Sequence, residues 1–207
     1  SPAATGYCFE RNDRFAGTGR GAMFETLAHR LLLLWGWPRR FAALAAGALS
    51  ALALAPVHAA PILFLTFPAL VILIDGAVVA GPRGVRRLRP AAITGWWFGF
   101  GYFLAGLNWV GIAFFAEGRS ALVPLMPFAV VGLAAGLALF TALGTIVARL
   151  LWSDGPTRIF ALAFGLGASE WLRGHVLTGF PWNLFGQAVA FTDVTAQAAS
   201  VVGVYGL

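Results

Sequence analysis

The sequence predicts an all-α protein, a polytopic bundle of transmembrane helices, on three observations. Of its 207 residues, 59% are hydrophobic and only 11% are charged, with mean hydropathy +0.81, whereas soluble domains carry about 25% charged residues. Several apolar runs are long enough for a helix to cross a bilayer, which takes about 20 residues. The alternation of polar and apolar residues that marks a membrane β-barrel is missing.

Residues 1–22 are polar and Gly-rich, without the continuous apolar stretch of a cleavable signal. They read as a disordered leader, with Met23 as the natural start. Cys8 is the only cysteine, so an intrachain disulfide is excluded, and it reads as a stray thiol in that leader. Residues 23–40 mix a short apolar run with Arg30, Pro38, Arg39 and Arg40, which suits an interfacial segment. The first span is expected at 41–57 and the second at 62–80, with Asp75 near its end.

The connection 81–90 carries Arg83, Arg86, Arg87 and Arg89. Short Arg-rich loops stay cytoplasmic. The third span is expected at 91–116, with Asn108 in its later half. The fourth is expected at 121–152, with Pro124 and Pro127 in first turns whose N–H groups lack helical partners anyway. A fifth at 159–172 climbs outward again, which places 170–193 on the periplasmic side. The run from 194 begins a sixth span that stays incomplete, so the sequence reads as a fragment.

The net charge is +6. These basic residues sit in short connections between apolar spans, where they act as orientation signals facing anionic lipid. No nucleic-acid motif accompanies them, so nucleic acid is excluded as a partner.

Small residues at four-residue spacing (Gly95 and Gly99, Gly101 and Ala105, Gly132 and Gly136) suit close helix packing. Asn108 could bond a neighbouring helix or meet a lipid headgroup, and Trp109 beside it suits an aromatic belt. Glu170 and Arg173, three apart, share a helix face and can pair. Such a pair could anchor the helix end, or Arg173 could meet a phosphate through its planar fork. Phe180, Pro181 and Trp182 could anchor the chain at the headgroup level or wall a lipid-entry groove.

His29, His58 and His175 are scattered and show no metal-ligand spacing, so no metal or cofactor is expected. There is no Ser/His/Asp set, no Cys with a paired base and no phosphate-binding loop. No catalytic residue is therefore assigned.

Two stretches carry a resemblance. Gly95-Trp96-Trp97-Phe98-Gly99-Phe100-Gly101-Tyr102-Phe103-Leu104-Ala105-Gly106-Leu107-Asn108-Trp109 resembles the third-span signature of bacterial apolipoprotein N-acyltransferases. Glu170-Trp171-Leu172-Arg173-Gly174, with Leu177-Thr178-Gly179-Phe180-Pro181-Trp182, resembles that family's most characteristic membrane motif. Gly203-Val204-Tyr205-Gly206-Leu207 is similar to the start of the helix that follows.

The resemblance implies a multi-pass enzyme of the bacterial inner membrane. Such enzymes move an acyl chain from a phospholipid to the α-amino group of a diacylglyceryl-modified cysteine in an apolipoprotein. They work through a thioester on a cysteine assisted by a glutamate and a lysine, all in a periplasmic nitrilase-like domain. No residue of this chain matches those three, and Cys8 lies in the unmatched leader, so the chain alone is expected to be inactive. What carries over is a platform for the phospholipid and the lipoprotein, with Asn108, Trp109, Glu170, Arg173, Phe180, Pro181 and Trp182 as candidate lipid contacts.

The rival readings are a fragment of a transporter or channel, which would place charges at mid-membrane, and a non-catalytic membrane scaffold. Asp75, Glu170 and Arg173 all fall near span ends, against the transporter.

Overall fold

The computed structural model describes residues 19–79, 86, 88–112, 115, 120–153, 155–176, 179–190 and 192–207. Cys8, Arg83, Arg87, the 117–119 turn, Asp154, Leu177 and Thr178 lie outside the described residues.

Every regular element among the described residues is helical. They are α1 (Gly19–Leu33), α2 (Trp37–Ser50), α3 (Leu63–Val79), α4 (Leu88–Gly106), α5 (Met126–Leu150), α6 (Arg158–His175), the short α7 (Phe185–Val189) and α8 (Asp193–Val202). Helix α4 is the centre, packed by α2 on one side and α5 on the other, while α6 lies against α5 and α1 against α3. Among the described residues, two segments are long and apolar enough to cross a membrane, Ala60–Ala77 and Val123–Leu150.

Helix starts follow proline chemistry. Helix α2 begins at Trp37 with Pro38 in its first turn, so it takes in Arg39 and Arg40 from the expected interfacial segment. Gly36, at φ 67, separates it from α1, and glycine tolerates that left-handed backbone without penalty. Pro127 sits in the first turn of α5. The 3-10 turn Ser120–Leu125 precedes it, so the α-helix begins later than the expected 121.

The third span also differs from expectation. Its helix closes at Gly106 and continues as a 3-10 turn, Asn108–Ile112. Asn108 is therefore exposed beyond the end of the α-helix. Glycine and asparagine are both poor helix formers, and together they stop the run.

Close packing uses the glycines selectively. A Cβ at Gly47 would strike the Phe98 carbonyl, and one at Gly95 or Gly99 would strike Thr145 or Thr141. The α2–α4 and α4–α5 crossings therefore depend on missing side chains. Gly132 and Gly136, at the same spacing, have no described neighbour within 4 Å. Buried hydroxyls between helices find partners: Ser50 Oγ donates to Thr66 Oγ1 at 2.8 Å, and Thr145 Oγ1 donates to the Ala91 carbonyl at 3.1 Å. At the end of the bundle where α3 finishes and α6 starts, Asp75 pairs with Arg158 and accepts from Trp152 Nε1 at 2.8 Å.

Candidate functional site

The opposite end of the bundle gathers most of the residues singled out above. The last turn of α6 carries Glu170 and Arg173 on one face, and both are buried. The chain beyond cannot continue as helix: Gly179 takes φ 76, Pro181 lacks an N–H, and Asn183 takes φ 54. Asparagine enters that left-handed region more readily than most residues. The result is an irregular turn whose carbonyls have no helical partners.

Arg173 supplies partners. Its Nη1 donates to the carbonyls of Phe180 at 2.8 Å and Trp182 at 2.7 Å, and its Nη2 to that of Asn183 at 3.4 Å. Its guanidinium also lies 4.9 Å from the Phe103 ring centroid. Glu170 Oε1 stands 3.6 Å from Arg173 Nη2 and accepts the Phe185 N–H at 3.1 Å. Tyr102 Oη donates to the Asn183 carbonyl at 3.2 Å, and the Phe180 N–H donates back to the Arg173 carbonyl at 2.9 Å. The pair therefore splices the end of α6 to the turn and to α4. With Arg173 2% exposed, its fork is directed at main chain.

The exposed part of the site is aromatic. Trp182 and Trp109, 55% and 46% exposed, meet edge to face with ring centroids 5.9 Å apart. Trp109 belongs to the 3-10 turn after α4, beside exposed Asn108. Phe180 is half-buried and packs on the core beneath, while Pro181 is exposed. His175 stacks on Trp171 at 4.4 Å, at the edge of the assembly. Chemically this is a braced aromatic surface.

The sequence from 46 to 207 matches the family described as "Apolipoprotein N-acyltransferase N-terminal domain". The chain belongs to the apolipoprotein N-acyltransferase family. It is 53% identical over 190 residues to the apolipoprotein N-acyltransferase of Rhodopseudomonas palustris, covering 92% of this chain and 34% of that protein. The corresponding protein of Bradyrhizobium diazoefficiens is 52% identical, covering 87% of this chain and 33% of its own length. That of Brucella suis is 48% identical, covering 89% and 35%. The chain thus spans about a third of the length of these relatives.

Within this chain, sequence reasoning did not assign Asn183, Tyr102, Phe103 and Phe185 to the site. Asn183 had a signal, an asparagine directly after Pro-Trp where the helix has stopped. Tyr102 and Phe103 lie within the quoted Gly95 to Trp109 stretch, but nothing there marks a hydroxyl reaching a remote carbonyl or a ring face under a guanidinium. Phe185 had no signal, because it acts through its main-chain N–H.

Proposed function

We propose that this chain is the membrane platform of an enzyme that transfers a fatty acyl chain from a phospholipid to the N-terminal amine of diacylglyceryl-cysteine in apolipoproteins. Helices α2 to α6 cross the bacterial inner membrane, and the 179–185 turn faces the periplasm. Large apolar side chains turned outward, among them Phe64, Phe128, Phe160 and Phe164, support a lipid-facing surface, since a water-soluble monomer rarely exposes apolar patches on that scale. We assign no catalytic residue to this chain.

On this reading the Trp109–Trp182 surface seats lipid substrate, with Asn108, Phe180 and Pro181 around it. Glu170 and Arg173 act from beneath by fixing the turn. The observation that carries this is an exposed tryptophan pair on a backbone locked by a buried guanidinium. Tryptophan is favoured where one surface must meet both acyl chain and headgroup.

The test uses the full-length protein in phospholipid vesicles, with W109A/W182A and an acylation assay at varied donor lipid. The KM for the phospholipid should rise roughly 5- to 10-fold, as expected for loss of binding made equally in ground and transition states. An unchanged KM with normal protein abundance would refute the assignment.

A further inference from the structure

The first turns of α2 and α4 line a cavity of about 620 Å³, at the far end of α4 from Trp109. Four arginines line it, Arg39, Arg40, Arg86 and Arg89, together with Trp35 and Ile93. No carboxylate is among the lining residues described, and these arginines take part in neither the Asp75–Arg158 nor the Glu170–Arg173 ion pair. Neither helix has an acidic residue in its first turn, so their positive dipole ends add to the field unopposed.

Arg39 is the decisive member. It is only 8% exposed, and its Nη2 donates to the Gly76 carbonyl at 2.8 Å. Its Nε is closed to solvent and has no partner among the described residues. What Arg39 brings to the cavity is therefore a fixed positive charge, held by the Gly76 carbonyl among three further arginines. Arg86 and Arg89 are exposed at the rim.

We infer that this cleft binds the phosphate of an anionic phospholipid headgroup. Guanidinium forks match phosphate oxygens in pairs. A lipid fits better than a free ion because an apolar path leaves the cleft: Trp35, Trp37 and Phe41 are all outward-facing, and the rings of the last two lie 6.0 Å apart. An anionic headgroup fits better than a zwitterionic one because no carboxylate waits for an ammonium. On the proposed topology the site lies in the cytoplasmic leaflet, on the other side of the membrane from the tryptophan pair.

The test measures binding, not acylation, so it can fail or succeed independently of the platform reading. The full-length protein in a neutral detergent is titrated with dioleoylphosphatidylglycerol, dioleoylphosphatidylcholine and inorganic phosphate and read by native mass spectrometry. Wild type should prefer phosphatidylglycerol over phosphatidylcholine about 10-fold, and R86Q/R89Q should abolish the preference, as expected for two arginines near a headgroup. R39Q should do the same, but its buried contact to Gly76 makes it the riskier variant, which is why the rim pair is the primary test. The inference is overturned by equal binding of the two lipids to wild type, by a preference that survives R86Q/R89Q in folded protein, or by inorganic phosphate binding as tightly as phosphatidylglycerol.

Discussion

Arg173 and Arg39 are both buried, at opposite ends of the same bundle, and their surroundings differ. Arg173 has three main-chain carbonyls, a carboxylate and a ring face around it. Arg39 has one carbonyl, the Trp35 ring 5.5 Å from its Cζ, and an Nε without a described partner beside a cavity. The first holds an irregular turn together where unsatisfied carbonyls would be costly. The second lines a cavity with three other arginines and no described carboxylate. Burial alone does not tell the two arginines apart; what lies beside each guanidinium does.

The comparison breaks most visibly at Arg173. Arg173→Ala removes partners from the Phe180, Trp182 and Asn183 carbonyls and leaves Glu170 buried without its cation. Removing one member of a buried pair costs about 3–5 kcal/mol, so thermal unfolding in detergent should show a large drop in melting temperature. Arg173→Lys should recover little, because an ammonium cannot reproduce a fork that reaches several carbonyls at once. A melting temperature equal to wild type would mean that the turn is held elsewhere.

Glu170→Gln is the next step down. The amide oxygen can still accept the Phe185 N–H, and only the charge facing Arg173 at 3.6 Å is lost. A loss of about 1–2 kcal/mol is expected, the range for a weakened hydrogen bond to a charged group. A loss as large as that of Arg173→Ala would show that the ion pair, not the carbonyl contacts, dominates the splice.

What the sequence made legible follows the same division between side-chain patterns and main-chain geometry. Long apolar runs coincide with α3, α5 and α6, because hydropathy is a property of the run itself. The pairing of Glu170 with Arg173 was readable from helical periodicity. The carbonyls of Phe180, Trp182 and Asn183 were not, since a backbone acceptor leaves no mark on residue identity. Gly106, where α4 ends, also lies against the Asn183 side chain, a contact between residues far apart in sequence. Gly95 and Gly99 pack while Gly132 and Gly136 face open space, although their spacing is identical. Spacing shows that a helix can be approached, not which neighbour is there. The arginine cleft was hidden for a related reason: Arg39 and Arg89 each look like an orientation signal until the fold brings the two helix starts together.

The smallest expected effects sharpen the comparison at the other end. Arg39→Gln should cost about 1 kcal/mol, since it removes one hydrogen bond to the Gly76 carbonyl and also removes the Nε. Arg86→Gln should leave the melting temperature of the lipid-free protein unchanged, because that side chain is exposed at the rim. Added phosphatidylglycerol should then separate them from wild type. A ligand that binds only the folded state stabilises it by RT ln(1 + [L]/Kd), so tighter binding gives a larger gain at the same concentration. Wild type should therefore gain melting temperature with phosphatidylglycerol, while both variants gain less. At the Arg173 end no such lipid-dependent difference is expected from Glu170→Gln, because that guanidinium already has its acceptors within the protein. Equal lipid-induced gains in all three variants would erase the distinction between the two ends of the bundle.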